Sequence, residues 1–266
     1  MISINQRKQI TSLNQKKYRI RHGLFLAEGD KLVREALSPA TNPRSEVREI
    51  FALPEWLQEN RKLTDTINAP VTEASRDELK KVSTLQTPPH VIALLSLPEP
   101  PSEPPASGNE LVLMLESIRD PGNLGTILRT ANWFGITTVI CSEDSADAWN
   151  PKVVQASMGA ILRTTIHYIP LAPFLQSYTA MGGEVYGTQL HGKSLYSTHI
   201  QIPSLVLFGN ESRGLSPELK NWVTTPVRVP DHPPGKSGTE SLNIAASVAA
   251  VCAIIRSQSN PTQNEN

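Results

Sequence analysis

The chain of 266 residues has few cysteines, few aromatic residues, no net charge and no long apolar run. Cys141 and Cys252 have no spaced partner for a metal site or redox pair, so we expect both to be core residues. The longest apolar run, Ile244–Ile255, is interrupted by Ser247 and is too short to span a bilayer. The start of the chain has no apolar signal core, which favours a soluble, cytoplasmic protein. A mitochondrial transit role for the basic, acid-free start is the alternative.

Common nucleotide and metal motifs are also missing. The chain contains no GxGxxG, which argues against a dinucleotide site. Gly235-Lys236-Ser237 resembles the end of a phosphate-binding loop, but Pro230 stands where that loop requires a glycine. The six histidines show no metal-ligand spacing, so we predict no metal. The sequence therefore argues against an NTPase, a dehydrogenase and a metalloenzyme.

Positive charge is concentrated at the start of the chain. Residues 1–23 contain no acidic residue, whereas residues 24–108 carry 9 basic and 13 acidic residues. A basic segment beside an acidic domain predicts contact with a polyanion such as RNA, although a solvated amphipathic helix would have the same composition. The candidate RNA-binding residues are Arg7, Lys8, Lys16, Lys17, Arg19 and Arg21.

A proline-rich stretch divides the chain. Residues 98–109 read PEPPSEPPASGN, and clustered prolines cannot continue a helix or a central strand. We predict a small α/β domain at 1–97, a linker at 98–109, a larger α/β domain at 110–258 and a disordered tail at 259–266. Helical and strand-like runs alternate in both domains, which in the second predicts a parallel sheet covered on both faces.

The periodicity predicts individual elements. In the first domain we expect strands at Leu24–Ala27, Val47–Leu53 and Val91–Leu97, with helices at Asp30–Leu37 and Arg76–Val82. In the second we expect strands at Leu111–Leu115, Thr137–Cys141, Thr164–Tyr168, Glu184–Thr188, Leu205–Phe208 and Val227–Val229, and a last helix at Leu242–Ile255.

The first helix of the second domain separates an apolar face from a polar one. Its apolar residues recur at helical spacing, which predicts a stripe packed on the sheet. Arg129 lies off this stripe and should project away from the core near the helix start. A solvated surface arginine is the alternative.

Polar residues follow three of the predicted strands. Asn123 stands where the first strand's exit becomes a helix, and it could satisfy local amides or fix a neighbouring side chain. Glu211 follows Gly209 at another strand exit, where it could cap the turn or hold a polar network. Ser241 and Asn243 open the last helix, with Ser241 as a candidate N-cap. Ligand sites in α/β proteins form at such strand exits, so we predict one site made of three loops.

These loops, in this order and spacing, resemble the SpoU/TrmH class of RNA ribose 2′-O-methyltransferases in the SPOUT superfamily. The resemblance covers residues 109–256 and rests on DPGNLGTILRTA, on Gly209-Asn210-Glu211 with Gly214, and on Ser241-Leu242-Asn243. FLAEGDKLVREAL at 25–37 is similar to the L30e-like substrate-binding domain found in this family, and is a less specific match.

The resemblance implies a trefoil-knotted second domain that binds S-adenosylmethionine and forms a homodimer, each site drawing on both subunits. It implies cofactor contacts from Thr188, Leu207, Gly209, Val229, Pro230 and Leu242. The third loop is longer than in many relatives. Its extra residues between Val229 and Ser241 could reshape the cofactor pocket, and Lys236 could add an RNA contact.

The resemblance also implies a catalytic set, namely Arg129, Asn123, Glu211, Ser241 and Asn243. Because the pKa of arginine exceeds about 12, neutralising it at pH 7 costs roughly 7 kcal/mol, so we expect Arg129 to grip a phosphate or steer the 2′-oxygen rather than act as a base. The other members would hold it in place. Large-subunit rRNA is the favoured substrate and tRNA the alternative. A non-catalytic RNA-binding assembly factor and an enzyme for a small metabolite are the competing functions.

Overall fold

The computed structural model describes residues 1–42, 44–99, 110–232 and 241–259. The chain folds into two compact units, Met1–Pro100 with Asp147–Arg163, and Pro101–Ala146 with Thr164–Asn266. Most of the predicted linker and of the predicted tail lie outside the described residues, as do residues 233–240 of the long third loop.

The elements up to residue 99 include the three strands and two helices that were predicted, together with further short elements. In chain order they are α1 (Ile4–Ser12), α2 (Lys16–His22), β1 (Leu24–Glu28), α3 (Asp30–Leu37), β2 (Val47–Ala52), α4 (Pro54–Glu59), α5 (Arg61–Thr64), β3 (Val71–Glu73), α6 (Arg76–Val82) and β4 (Val91–Ser96).

The elements after residue 110 include the strands of a second sheet. They are β5 (Leu111–Leu115), α7 (Pro121–Trp133), β6 (Thr138–Cys141), α8 (Pro151–Ala156), a 3₁₀ helix (Ala160–Leu162), β7 (Thr165–Tyr168), α9 (Leu171–Ala180), β8 (Val185–Ser194), β9 (Ser204–Phe208), α10 (Pro217–Lys220), β10 (Thr225–Arg228) and α11 (Ile244–Ser259).

The first unit is built on a sheet of order β1-β4-β2-β3. β4 runs antiparallel to β1 and β2, and β3 runs parallel to β2. β4 is a central strand, and its first five residues are buried, as its continuous apolar run predicts. All five residues of the edge strand β1 are buried as well, including Glu28. The short β3 was not predicted, since only one of its three residues is even partly buried and no apolar pattern marks it.

The second unit contains the predicted parallel sheet, with strand order β10-β8-β9-β5-β6-β7. Each neighbouring pair in this order is parallel. β8 extends to Ser194, six residues past the predicted end. Its far part runs beside β10, where Gly192 has no side chain and a Cβ would lie 2.4 Å from the carbonyl carbon of Val227.

Helix α7 buries the predicted apolar stripe except for its last member, Phe134, which lies just past the helix and is partly buried. Leu124, Ile127, Leu128 and Ala131 are fully buried, and α7 packs against α11. Asp120 caps its start, accepting a hydrogen bond from the Asn123 amide at 2.8 Å. Arg129 projects to the exposed side, as predicted. Within the described residues, no helix is long and apolar enough to cross a membrane.

One crossover of the second sheet belongs to the first unit. Residues Asp147–Arg163 join β6 to β7 in the chain, yet they pack with Met1–Pro100. Trp149 lies on Phe25, with ring centroids 4.7 Å apart, and Arg163 Nη1 donates to Glu35 Oε2 at 2.9 Å. The predicted boundaries place this segment in the second domain. Strand–helix alternation is continuous through the segment, so the sequence does not indicate that it packs with the first unit.

Both cysteines are buried, as predicted from their apolar surroundings. Cys141 and Cys252 are 0% exposed, and burial raises the pKa of each thiol to about 12. At neutral pH they are protonated and therefore poor nucleophiles.

Candidate active site at the strand ends of the parallel sheet

Three polar side chains from three separate loops meet in the second unit. Asn123 Nδ2 donates to Glu211 Oε1, and Asn243 Nδ2 lies 3.1 Å from Asn123 Oδ1 and 3.3 Å from Glu211 Oε1. Asn123 opens α7 after β5, Glu211 follows β9, and Asn243 precedes α11. The structure therefore brings together the three loops that the sequence singles out, and Glu211 holds a polar network rather than capping a turn.

The last helix is capped by Asn243 and not by Ser241. Asn243 Oδ1 accepts hydrogen bonds from the amides of Ala245 at 3.0 Å and Ala246 at 3.3 Å. The N-cap prediction for Ser241 is wrong because the helix begins at Ile244, three residues later. Asn243 thus uses its oxygen for the helix and its amide nitrogen for Asn123 and Glu211. Ser241 is exposed and lines the neighbouring cleft.

The loop after β9 makes a tight turn closed on itself. Asn210 and Gly214 exchange two backbone hydrogen bonds, at 3.1 and 2.8 Å. Gly209 lies against this turn, since a Cβ there would come within 2.2 Å of the Gly214 carbonyl carbon and 2.3 Å of the Leu215 nitrogen. Both obstacles are backbone atoms, so only glycine fits at position 209.

A fourth loop, which the sequence analysis missed, supports the first. Asp144 follows β6 and accepts hydrogen bonds from Ser142 Oγ and Ser117 Oγ, both at 2.7 Å, and from Arg119 Nη2 at 3.0 Å. These bonds, led by that of Ser142, hold the pKa of Asp144 at about 2. In the sequence this loop is the run SEDS at 142–145, just after a predicted strand. Its only distinguishing feature there is polarity, which ordinary loops share.

A cleft of about 890 Å³ opens beside these loops. Among the predicted cofactor residues, Thr188, Gly209, Val229, Pro230 and Leu242 line it. Leu207 does not: its side chain is fully buried in the sheet core, and its carbonyl accepts a hydrogen bond from Thr188 Oγ1 at 3.1 Å. Leu207 can therefore contribute only backbone atoms. The cleft also has basic residues that were not predicted as cofactor ligands, namely His191, Arg213, Lys220, Arg228 and His232.

Arg129 stands apart from the polar cluster. It is exposed on α7, and no hydrogen bond or ion pair joins it to another residue in the described ranges. Asn123, Glu211 and Asn243 bind one another instead of Arg129, so the predicted contact between this cluster and Arg129 is not formed. Six positions on a helix turn a side chain by about 240°, which separates Arg129 from Asn123.

The basic segment of the first unit forms helices α1 and α2. Lys8, Lys16, Lys17 and Arg21 are exposed, and Arg7 is partly buried. Arg19 is 2% exposed: Nη1 donates to the Leu13 carbonyl at 2.6 Å and Nη2 to the Asp147 carboxylate. The prediction that Arg19 contacts RNA is corrected, because its guanidinium is enclosed in the first unit. The sequence shows only that residue 19 is basic, and this does not distinguish the buried Arg19 from its exposed basic neighbours.

Replacing Arg19 by alanine is expected to destabilise the protein by about 3 kcal/mol, because the largely buried Asp147 carboxylate would lose its partner. Lys17→Ala, two residues away and exposed, should cost less than about 0.5 kcal/mol. Urea unfolding followed by tryptophan fluorescence measures both. Equal midpoints for the two variants would contradict the buried role of Arg19.

Among the described residues, no group of three or more His, Cys, Asp or Glu side chains is placed to hold a metal ion. The polar cluster offers a single carboxylate beside two amides, and the loops around it offer backbone and hydroxyl groups. This chemistry suits an organic ligand with polar and apolar parts.

Strand-end loops, a glycine-only turn and an Asn–Glu–Asn cluster define a ligand-binding α/β protein with its site at one edge of a parallel sheet. The pattern of the SpoU rRNA Methylase family matches residues 110–253, and that of the MRM3-like substrate binding domain matches residues 5–93. The chain belongs to the SpoU rRNA methylase family.

Individual relatives agree over nearly the whole chain. The 23S rRNA (guanosine(2553)-2′-O)-methyltransferase RlmP of Bacillus subtilis is 30% identical over 91% of this chain and 92% of its own. The structure of a TrmH-family protein from Porphyromonas gingivalis is 37% identical, with a TM-score of 0.83 over 97% of this chain and 99% of the other. An AdoMet-bound rRNA methyltransferase from Sinorhizobium meliloti is 26% identical, with a TM-score of 0.83 over 97% of both chains.

Proposed function

We propose that this chain transfers a methyl group from S-adenosylmethionine to a ribose 2′-hydroxyl of large-subunit rRNA. The observation that carries the proposal is the Asn123–Glu211–Asn243 cluster beside the cleft, on a chain of the SpoU rRNA methylase family. The relative RlmP, which aligns with 91% of this chain, is named for this reaction on 23S rRNA.

The cleft fits the cofactor in size and chemistry. Its volume of about 890 Å³ falls within the range of about 300–1,000 Å³ typical of small-molecule sites. Leu190, Val229 and Leu242 offer apolar surface for a purine, and the 209–214 turn brings backbone close to a ligand. S-adenosylmethionine would supply a sulfonium-bound methyl group: its carbon–sulfur bond breaks as the new carbon–oxygen bond forms, S-adenosylhomocysteine leaves, and the 2′-hydroxyl proton passes to solvent water.

The polar cluster orients the reacting groups. With Asn243 Oδ1 occupied by the helix amides, its Nδ2 is directed at Asn123 and Glu211, and each of the three side chains is fixed by the other two. Groups held in this way need little reorganisation when the reaction occurs. In-line placement of the ribose oxygen and the methyl carbon would then supply much of the rate.

Arg129 acts as a cation in this proposal. Since neutralising it at pH 7 costs roughly 7 kcal/mol, it does not accept the 2′-hydroxyl proton. Its guanidinium, exposed on α7, is available to an RNA phosphate or to the reacting oxygen. Ser241, at the edge of the cleft, would contact the same region of the substrate.

The first unit would hold the RNA. Its match to a substrate-binding domain and the exposed cations of α1 and α2 support this role. The proposal includes a homodimer formed through the knotted second domain, as the resemblance implies. It also includes a cytoplasmic location and the domain boundaries predicted from the sequence.

The affinity for single-stranded RNA should fall with salt. With Arg19 buried, five cations of the segment remain, and at about 0.7 each the slope of log affinity against log salt is expected near −3.5. Lys17→Ala should reduce the magnitude of this slope by about 0.7, and Arg19→Met should leave it unchanged in folded protein. Fluorescence anisotropy with a labelled oligonucleotide at several salt concentrations measures this slope. Equal slopes for wild type and Lys17→Ala would exclude Lys17 from the RNA contact.

The substrate is tested by supplying S-adenosylmethionine with a tritiated methyl group to unmodified large-subunit rRNA or unmodified tRNA, with a Glu211→Ala variant as the background. We expect label in rRNA at least about tenfold above that in tRNA. The reverse preference would favour the tRNA alternative. Tight RNA binding by the wild type without label in either RNA would favour a non-catalytic assembly factor.

A further inference from the structure

Ser117 has a backbone conformation that is uncommon for a residue with a side chain. Its φ is +55°, in the left-handed region that favours glycine. The residue lies two positions after β5, in the first loop of the site. A non-glycine residue in this region persists only where its surroundings impose it.

Three hydrogen bonds impose this conformation. The Ser117 amide donates to Ser142 Oγ at 2.8 Å, and its hydroxyl donates to Asp144 Oδ2 at 2.7 Å. Its carbonyl accepts from Asn210 Nδ2 at 2.9 Å. Asp144 Oδ1 also accepts from Ser142 Oγ. One carboxylate therefore binds the Ser117 hydroxyl and also holds the serine that accepts from the Ser117 amide.

The third bond, from Asn210 Nδ2 to the Ser117 carbonyl, joins the first loop to the 209–214 turn that lines the cleft. Asn210 belongs to the turn that Gly214 closes, and its Oδ1 accepts from the Ser212 amide at 3.0 Å. If Ser117 left the left-handed region, its carbonyl would rotate away and Asn210 Nδ2 would lose its acceptor. The 209–214 turn would then lose one of the bonds that hold it against the first loop.

We propose that Asp144 and Ser117 are positioning residues for the methyltransferase site: Asp144 holds Ser117 in the left-handed conformation, which holds the Ser117 carbonyl on Asn210 and keeps the 209–214 turn shaped for S-adenosylmethionine. This inference rests on the proposed function. Asp144 touches neither the cofactor nor the reacting atoms in this account. Its effect reaches the cleft through a backbone conformation.

Two substitutions at position 117 separate the effect of the backbone conformation from the effect of the hydroxyl group. Ser117→Ala removes the hydroxyl and keeps the Cβ that disfavours a positive φ. Ser117→Gly removes both, and glycine adopts this φ without cost. We expect Ser117→Ala to raise the dissociation constant for S-adenosylmethionine about tenfold, equivalent to about 1.4 kcal/mol. Ser117→Gly should stay within about threefold of wild type.

Asp144 is tested by rescue. Asp144→Ala should weaken cofactor binding about tenfold, and adding Ser117→Gly should restore it to within about threefold. At saturating cofactor, Asp144→Ala should retain the wild-type kcat and the wild-type KM for RNA, because the reacting groups are untouched. Asp65→Ala, which removes an exposed carboxylate in the first unit, is the matched control.

Calorimetric titration of folded protein decides between the outcomes. Equal affinities for Ser117→Ala and Ser117→Gly, or a double variant as weak as Asp144→Ala, would overturn the proposal while leaving the methyltransferase function intact. A wild type that binds no S-adenosylmethionine but binds RNA would overturn the proposed function and this inference with it.

Discussion

A Gly209→Ala variant is expected to bind S-adenosylmethionine at least about 100-fold more weakly than wild type, a loss of about 2.7 kcal/mol. The added methyl group would lie 2.2–2.5 Å from backbone atoms of Gly214 and Leu215. Backbone atoms in a closed turn cannot move aside as a flexible side chain can, so the turn must open. Overpacking of this kind typically costs about 1–3 kcal/mol.

Gly182→Ala is the matched control for this prediction. Gly182 has a positive φ, of +82°, and no atom lies within 4 Å of the position of its Cβ. The change therefore introduces local backbone strain without a clash and outside the cleft. Calorimetry should give Gly182→Ala a wild-type affinity for the cofactor. Wild-type affinity in Gly209→Ala, with thermal unfolding showing a folded protein, would remove the 209–214 turn from the binding site.

An Arg129→Lys variant is expected to lose about 10²–10³-fold in kcat while its affinity for S-adenosylmethionine changes by less than about twofold. Lysine keeps the charge but lacks the planar, forked donors of arginine, so a bidentate grip on phosphate or oxygen is lost. Removing one such transition-state donor typically costs about 2.7–4 kcal/mol. Cofactor affinity is retained because Arg129 is not among the residues lining the cleft.

The Arg129 prediction is measured by single-turnover methylation at saturating RNA and cofactor. Arg61→Lys makes the same chemical change at an exposed arginine of the first unit and should keep the wild-type rate. If Arg129→Lys also kept near-full activity, the bidentate role would be wrong and simple charge would suffice. A parallel loss of cofactor affinity would move Arg129 into the binding site.

The fold could be predicted from the sequence where apolar periodicity is strong. The bounds of α3, α6 and β5 agree with the predicted ranges, and the parallel sheet follows from strand–helix alternation. The assignment of residues 147–163 to the first unit could not be predicted, because a tertiary contact such as that between Trp149 and Phe25 leaves no periodic signal. The knot stays a prediction, since it concerns the threading of the chain rather than any local pattern.

Some residues of the site could be predicted from the sequence and others could not. The Asn123, Glu211 and Asn243 cluster could be predicted because each residue stands at a strand exit or helix start, where parallel-sheet loops converge. The role of Asp144 could not, since an aspartate among serines is also the ordinary composition of a loop. The prediction for Arg19 was wrong because its neighbours Lys17 and Arg21 are exposed and equally basic. Arg19 differs from them by its contacts with the Leu13 carbonyl and Asp147, which the sequence does not reveal.

The acceptor atom of the methyl group, a ribose oxygen of RNA, can be identified by alkaline digestion. The enzyme is used to label rRNA with tritiated S-adenosylmethionine, and the RNA is then digested completely in alkali. Because alkaline cleavage requires a free 2′-hydroxyl, we expect the label to remain in alkali-resistant dinucleotides. Label released in mononucleotides would show methylation of a base and exclude ribose methylation.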